Sequence, residues 1–394
     1  MMSIKPTVKV LSLFLILLLP TLSFAEGDVQ QPINTEQILK ATAHKLRLAF
    51  DDRLHDPKAY RELALKQCAV FPEGRLYPFT LPVMGYANMA MSGEIEKAHA
   101  IKQMQKLIDI SIPLTAEQLK APGNDLMNLR NTKRQGTFLG MFNYGLSCYR
   151  MVSDDDRYTQ LHDHVTHLLI NEFMTKEGWP IDSYPTYTWY VDSLVALASI
   201  DMWDRINQKN ITAGLLKKHL QWRDQFALTD QGLPKATAYQ TSRGCDLSMQ
   251  ICLFANMKPE IAKAMYPAYV KAHWLDLKFI AGFTEWPIGD PGLPMGDIDS
   301  GPMFMGLGAT ATGMGIGATI AAKDQARLDI LAKELGQVSS IIQTMLKLDV
   351  NNNIKNWFGD QLSLDQQYVS GFLYGDAALF YSVTWTKFPE HVRK

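Results

Sequence analysis

The chain has 394 residues, of which 47% are hydrophobic, and 39 basic residues nearly balance 40 acidic ones. A chain of this length can bury a large core. Its near-neutral charge offers no basic surface for a nucleic acid, so we expect no nucleic-acid partner. The sequence has no CxxC or His-rich spacing of the kind that binds metals. We therefore expect no metal site and no other cofactor. Most of the four cysteine thiols are expected to be free and buried.

The N-terminal residues are typical of an export signal. Lys5 and Lys9 precede an apolar run, and Ser23-Phe-Ala25 resembles a cleavage site with small residues. The run is short for a membrane span. We therefore expect cleavage after Ala25, so that residues 26–394 form a single domain without stable membrane insertion. The expected location is the periplasm or the cell exterior.

The rest of the chain predicts paired helices, because apolar helices alternate with amphipathic ones. Apolar, small-residue-rich helices are predicted at about 80–92, 136–152, 187–205, 241–257, 302–322 and 370–386. All but the last precede a more charged helix, at about 94–110, 156–173, 211–227, 259–277 and 324–346. Helices at about 36–51 and 57–69 supply the missing outer member and a lead-in.

The joints within these pairs are short, whereas the joints between pairs are long. If the pairs run round in one sense, every long joint lies at the same end of the domain. The repeat of roughly 50 to 70 residues is a supersecondary period, and strand signals are weak throughout. The sequence therefore predicts an all-α fold, an (α/α)6 barrel of six helical hairpins.

Acidic residues concentrate in the long joint before the fifth apolar helix. Glu285, Trp286, Asp297 and Asp299 stand there among glycines and prolines. In an extended segment Asp297 and Asp299 would point to opposite sides, and Asp299 or Ser300 could equally cap the following helix. We favour a functional role, because a cap needs one side chain and this segment supplies several.

A second cluster combines aromatic rings with carboxylates around the start of the third apolar helix. Aromatic faces suit sugar rings, whose C–H faces stack on Trp and Tyr while their hydroxyls bond to Asp. The residues concerned are Trp179, Asp182, Tyr184, Tyr187, Trp189 and Asp192. The aromatic side chains could instead simply pack the barrel mouth. Asp192 could instead pair with Arg243 or Arg134.

Arginines in the neighbouring joints have two possible roles. They could lock loop carboxylates in place, or they could bind an anionic group of a substrate. We count Arg243, with Glu285 and Trp286, among the predicted substrate-binding residues. The histidines of the second outer helix, His162, His164 and His167, are expected at the surface, and so is His273.

With these features the chain resembles the six-hairpin glycosidase-like superfamily over nearly all of residues 26–394. The aromatic and acidic loops and the segment Gly296-Asp-Ile-Asp-Ser-Gly-Pro302 carry the resemblance. A looser likeness to linalool dehydratase-isomerase rests on Asn143-Tyr-Gly-Leu-Ser-Cys-Tyr-Arg150, Asp192-Ser-Leu, Trp203-Asp-Arg205 and Met265-Tyr-Pro-Ala-Tyr269. That likeness implies cysteines before the third apolar helix, and none lies between Cys148 and Cys245.

The acidic loops and the resemblance together imply a carbohydrate-active enzyme. Hydrolysis of a glycosidic bond needs one protonated and one ionised carboxyl group. The candidate catalytic residues are Asp299, Asp297, Asp182 and Asp192, acting on a small molecule or an oligosaccharide. One alternative is a lyase or dehydratase that uses Tyr184, Tyr187 or Tyr239 beside an aspartate. A non-catalytic glycan-binding or envelope protein is another.

Overall fold

The computed structural model describes residues 34–68, 72–236, 241–290, 299–301, 303–347, 370 and 373–389. The expected export signal lies outside these residues, as do Tyr239 and Asp297. Backbone contacts divide the chain after Asn34, and all the elements below belong to the unit Thr35–Lys394. No helix in the described ranges combines the length and the hydrophobicity needed to cross a bilayer.

This unit is mostly helical, as predicted. Its described part contains thirteen α-helices: α1 Thr35–Arg53, α2 Pro57–Gln67, α3 Tyr77–Ser92, α4 Lys97–Gln118, α5 Gly136–Val152, α6 Thr159–Lys176, α7 Tyr190–Asn207, α8 Thr212–Phe226, α9 Gly244–Met257, α10 Pro259–His273, α11 Ala309–Ala322, α12 Gln325–Lys347 and α13 Leu373–Val383. Two antiparallel pairs of short strands separate α10 from α11: β1 Trp274–Asp276 with β2 Ala281–Phe283, and β3 Met303–Phe304 with β4 Leu307–Gly308.

The helices pack in the predicted pairs. Within each of the pairs α3/α4, α5/α6, α7/α8, α9/α10 and α11/α12, a short turn joins two helices that contact each other. The apolar helix α13 instead contacts α1, which comes from the other end of the unit. The first helix therefore supplies the partner of the last.

The apolar helices also contact one another in chain order. Helix α3 packs on α5, α5 on α7, α7 on α9, α9 on α11 and α11 on α13, and α13 packs on α3. Small residues allow the close approach: a Cβ on Gly140 of α5 would lie 3.2 Å from the Cβ of Ala196 on α7. At Gly85 of α3, an added Cβ would overlap the ring of Phe380 on α13.

The fifth apolar helix begins later than predicted. Residues 303–308 form the β3–β4 hairpin, and α11 starts at Ala309. Met305 and Gly306 have φ values of 51° and 93°, so the turn between the strands uses left-handed backbone that a helix does not. The caps proposed at Asp299 and Ser300 are therefore wrong, because the N-cap of α11 is Gly308.

The prediction that His162 and His273 lie at the surface is also wrong. His162 is fully buried, and its Nε2 lies 2.8 Å from Ser147 Oγ on α5. His273, at the end of α10, is buried as well. Each outer helix has a face against its apolar partner, and the sequence did not reveal that these histidines lie on it. All four cysteines are free and buried, as expected.

Candidate active site

Arg243 lies immediately before α9 and is 2% exposed. Its Nε donates a hydrogen bond to Glu285 Oε1 at 2.7 Å, and its Nη2 donates to Asp299 Oδ1 at 2.6 Å and to Ser300 Oγ at 3.2 Å. Its Nη1 lies 3.7 Å from Asp246 Oδ1. One guanidinium thus meets three carboxyl groups from α9 and the joint before α11. We call these five residues the Arg243 cluster.

Local backbone geometry brings the parts of this cluster together. The N–H of Gly244 donates to the carbonyl of Glu285 at 2.8 Å, which places the start of α9 against the chain after β2. Thr310, in the first turn of α11, donates from its N–H to Ser300 O at 3.1 Å and from its hydroxyl to Asp299 O at 2.9 Å. Asp299 is therefore fixed to the start of α11 although it caps no helix.

At Gly244 the fold leaves no room for a side chain. A Cβ there would lie 2.1 Å from the carbonyl oxygen of Thr284, and backbone cannot move aside cheaply. We expect Gly244→Ala to lower the free energy of unfolding by about 1–3 kcal/mol, the usual cost of overpacking. Denaturant unfolding would measure this change.

Gly214, an exposed position in α8 with nothing within 4 Å of an added Cβ, offers the matched control. Gly214→Ala is expected to stabilise the protein by about 0.5–1 kcal/mol. Equal effects of the two substitutions would contradict the close approach at Gly244.

Aromatic rings surround the guanidinium. Its central carbon lies 5.2 Å from the ring centroid of Trp189 and 5.9 Å from that of Trp286, within the range of cation–π attraction. Trp189 in turn stacks on Tyr187, with centroids 5.9 Å apart, and Tyr187 is half exposed. Three predicted substrate-binding aromatics therefore adjoin Arg243 and lead outward to solvent.

Asp192 approaches the cluster from the first turn of α7, where it is buried. The hydroxyl of Thr137 donates to its Oδ2. Burial raises the pKa of Asp192 to about 6; hydrogen bonds from Thr137 and Ser183 lower it in part, the nearby charge of Asp299 raises it, and Arg243 lowers it. Asp192 is thus poised to exchange a proton near neutral pH.

Asp246 occupies the equivalent place in the first turn of α9, and sequence analysis did not select it. Burial raises the pKa of Asp246 to about 7, even though Arg243 favours its charged form. Its Oδ2 and the Oε2 of Glu285 are both buried without a hydrogen-bond partner in the described structure. In the sequence, Asp246 follows Arg243 by three residues at the start of a predicted helix. This spacing could have indicated that the two side chains lie close together.

Two tyrosines, also not selected, face the same carboxyl groups. Tyr77 opens α3 and stacks on Tyr374 of α13, with centroids 5.7 Å apart. Burial raises the pKa of both tyrosines well above the ordinary value, and the negative charge of Asp299 raises both further. Both hydroxyls therefore stay neutral and can donate hydrogen bonds beside Asp299.

Other predicted site residues have different surroundings. Asp182 accepts hydrogen bonds from Arg134 Nε at 2.7 Å and Lys176 Nζ at 2.9 Å. Burial would raise the pKa of Asp182, but these two partners together hold it below its ordinary value. Trp179 is 55% exposed and stacks on Phe226 of α8, with centroids 5.7 Å apart. Asp182 and Trp179 therefore contact residues that do not belong to the Arg243 cluster.

Tyr184 lies next to Tyr187 through a pair of backbone hydrogen bonds, each 3.1 Å long. Its ring packs edge-on against Phe138, and its hydroxyl is buried without a hydrogen-bond partner within the described ranges. Tyr184 therefore keeps an unused hydrogen-bonding group in the described part of the structure.

The arrangement combines two kinds of carboxyl group. Glu285 and Asp299 accept close hydrogen bonds from Arg243, whereas the buried Asp192 and Asp246 accept none from it in the described structure and have raised pKa values. Buried carboxyl groups with raised pKa values, such as Asp192 and Asp246, are typical of acid–base sites. Among the residues that the structure describes, no group of three or more His, Cys, Asp or Glu side chains is arranged to hold a metal ion.

Comparison with known proteins adds no family assignment. No protein-family model matches the chain. No curated protein matches it either. The chemistry of the site is therefore inferred from its residues.

Proposed function

We propose that the chain is a carbohydrate-active enzyme, a glycoside hydrolase that works with the carboxyl groups around Arg243. The observation that carries this proposal is the contrast between Asp192 and Asp299. Asp192 is buried among hydroxyls with a pKa raised to about 6, while Asp299 accepts a 2.6 Å hydrogen bond from Arg243. Glycosidic hydrolysis uses one carboxyl group that holds a proton and one that carries charge.

Each group then has a role. Asp192 donates a proton to the oxygen of the leaving sugar, and Asp299 acts as the charged partner, either as a base toward water or as a nucleophile. Arg243 holds Asp299 and Glu285 in place. Trp189, stacked on the half-exposed Tyr187, offers a face to a sugar ring. Asp182 has no catalytic role in this proposal, because Arg134 and Lys176 already neutralise it.

For the scaffold we propose the (α/α)6 barrel. Its support is the contact order of the six apolar helices, in which α13 returns to α3, together with an outer partner for each of them. Asp192, Asp246 and Tyr77 all stand in first turns of these helices, which brings the acidic site to one end of the barrel. The positive ends of helix dipoles there favour carboxylates. We further propose that the protein is exported, on the basis of its first 25 residues.

An elimination reaction on the same scaffold is the second candidate. Its support is Tyr184, whose buried hydroxyl has no hydrogen-bond partner in the described residues, and the neutral pair Tyr77 and Tyr374. A tyrosine beside a single protonated aspartate could act as the acid–base pair of a lyase.

Incubation with a panel of oligosaccharides, followed by mass analysis of the products, tests both functions. Hydrolysis gives fragments whose summed mass exceeds that of the substrate by one water. Elimination gives an unsaturated fragment without added water. Binding without any product would contradict both and would favour a glycan-binding protein.

Asp299→Asn is expected to lower turnover of the substrate so found by about 100-fold, because an amide cannot act as base or nucleophile. The thermal midpoint, measured on the same preparation, reports the loss of the ion pair with Arg243. Asp224→Asn, a change at an exposed aspartate of α8, provides the control and should leave turnover unchanged. A lowered midpoint with near-normal turnover would make Asp299 a structural partner of Arg243 only.

A further inference from the structure

A second feature, an open pocket of about 340 Å³, adjoins the Arg243 cluster. Its walls come from three segments, residues 229–231, 241–242 and 287–290. The volume lies at the lower end of the range for small-molecule sites, which is roughly 300–1,000 Å³. The proposed hydrolysis of a glycosidic bond does not use any of these residues.

Hydrogen-bonded turns fix two of the walls. In the first, Thr229 N–H donates to Leu233 O at 2.8 Å, and Gly232 at φ 74° closes the turn by donating to Thr229 O at 2.9 Å. In the other, Asp290 N–H donates to Pro287 O at 2.9 Å, and Ile288 N–H ties the turn to Ala272 O at 2.7 Å. The pocket is therefore preformed, which lowers the entropy cost of binding.

The pocket and the Arg243 cluster share two stretches of chain. Ser242 lines the pocket and directly precedes Arg243, and Pro287 lines it and directly follows Trp286. Arg243 has extended backbone, with φ −122° and ψ 137°, and successive side chains of an extended segment point to opposite sides. A ligand in the pocket would therefore lie next to the proposed site without displacing its side chains.

The floor of the pocket presents a hydrogen-bond acceptor. His273 Nδ1 lies 3.0 Å from the carbonyl oxygen of Thr284, so this nitrogen is the donor. Burial lowers the pKa of His273 to about 4, which leaves the ring neutral at pH 7. Its Nε2, 3.0 Å from Ser242 Oγ, is therefore an acceptor of the serine proton. The Ser242 oxygen keeps its lone pairs for a ligand.

Acceptors also dominate the rest of the lining. Asp230 and Asp290 contribute carboxylates, Thr229 and Thr241 contribute hydroxyls, and none of the lining residues in the described part of the chain is a Lys or an Arg. Asp230 is exposed at the rim. This composition favours ligands rich in O–H or N–H donors and disfavours anions.

We propose that this pocket binds a further sugar unit with donor groups, an amino sugar in preference to an acidic one. The carbohydrate class of this ligand rests on the proposed function, whereas the preference for donors over anions follows from the lining. A chain of sugar units could then contact both the Arg243 cluster and the pocket.

Calorimetric titration of the full chain provides the test. The probes are a tetramer of glucosamine, which is cationic, and a tetramer of galacturonic acid, which is anionic. Asp192→Asn serves as the parent protein so that no probe is consumed. We expect the glucosamine tetramer to bind and the galacturonic acid tetramer to bind at least about tenfold more weakly, because like charges repel at the rim.

Asp230→Asn and Thr241→Val in that parent should each weaken binding of the glucosamine tetramer, by about threefold to tenfold. Both changes keep the shape of the side chain, and Asp224→Asn, outside the pocket, should have no effect. Unchanged affinity in both pocket variants, equal affinity for the two tetramers, or no binding by the parent would each overturn the proposal.

The experiments can reject the proposed hydrolase and the proposed sugar pocket independently of each other. Pocket-dependent binding without turnover of any glycan by the wild-type chain would reject the hydrolase and keep the pocket. Turnover that depends on Asp192, with no effect of the pocket variants on binding, would reject the pocket alone.

Discussion

Asp192→Asn is expected to lower turnover by a factor of about 100 to 10,000, the usual contribution of a general acid. The amide matches the carboxyl group in size, and the hydroxyl of Thr137 can still donate to its oxygen. What the amide lacks is an acidic proton that it can donate to the leaving group. Initial rates on the substrate identified by mass analysis, with thermal midpoints on the same samples, would measure both quantities.

The pH dependence of the turnover rate provides a second test of the acid role of Asp192. Because burial raises the pKa of Asp192 to about 6, the acid is protonated below that pH and the rate should fall as the pH rises above it. Asp246, with a pKa raised to about 7, lies close enough to interact, so the descending limb reports the pair. A wild-type rate that stays constant between pH 5 and 9 would contradict an acid role for Asp192.

Stability should respond to pH in the same window. The folded-state pKa of Asp192 lies above the ordinary value of 3.8, so the folded protein binds this proton more tightly than the unfolded chain. Its contribution is fully present below pH 3.8 and is lost as the pH rises through about 6. Asp192→Asn removes this contribution, and its thermal midpoint should fall less over that range than that of the wild type.

Replacing Arg243 with methionine is expected to lower the free energy of unfolding by about 3–5 kcal/mol, the typical cost of removing one partner of a buried ion pair. Glu285 is fully buried, and Arg243 supplies its 2.7 Å charged partner. Without the guanidinium, the carboxyl group of Glu285 must either stay charged while buried, with Ser300 as a remaining donor at 2.8 Å, or take up a proton. Denaturant unfolding would give the size of the loss.

The double variant Arg243→Met/Glu285→Gln tests the cause of that loss. If the cost comes from the buried, unpaired carboxylate, the second change should recover part of it, and the double-mutant cycle should show strong coupling. The more exposed pair of Arg157 and Asp155 supplies the comparison. Loss of that pair should change stability far less, because water and salt screen exposed charges. Additive effects at Arg243 and Glu285 would contradict their coupling.

Much of the fold could be predicted because hydrophobic pattern and joint length are local properties. Apolar and amphipathic helices alternate, and their observed bounds lie close to those predicted. The β3–β4 hairpin could not be seen, because its small and apolar residues resemble the start of a helix, and only the left-handed backbone of Met305 and Gly306 distinguishes it. The burial of His162 and His273 depends on which face of an outer helix meets its partner.

Part of the candidate site could also be predicted from the sequence. Polar and aromatic residues concentrate in the long joints, and this selected Arg243, Glu285 and Asp299. The sequence does not show which charges pair. Lys176, which with Arg134 binds Asp182, lies at the end of an outer helix and was not selected. Asp246 was overlooked although it holds the same first-turn position as Asp192, which was selected together with the aromatic residues before α7.

The position of α13 has a consequence for how the protein is made. Asn88 of α3 donates a hydrogen bond to the carbonyl of Tyr381, 293 residues later, and Leu373 N–H donates to Gln67, 306 residues earlier. At a synthesis rate of about 5–20 residues per second, roughly 15 to 60 s separate the two sides of these contacts. The apolar faces of α1 and α3 that pack against α13 therefore stay exposed until α13 has been made. We expect folding to finish only once α13 is available, and we expect chaperones to bind the chain before then.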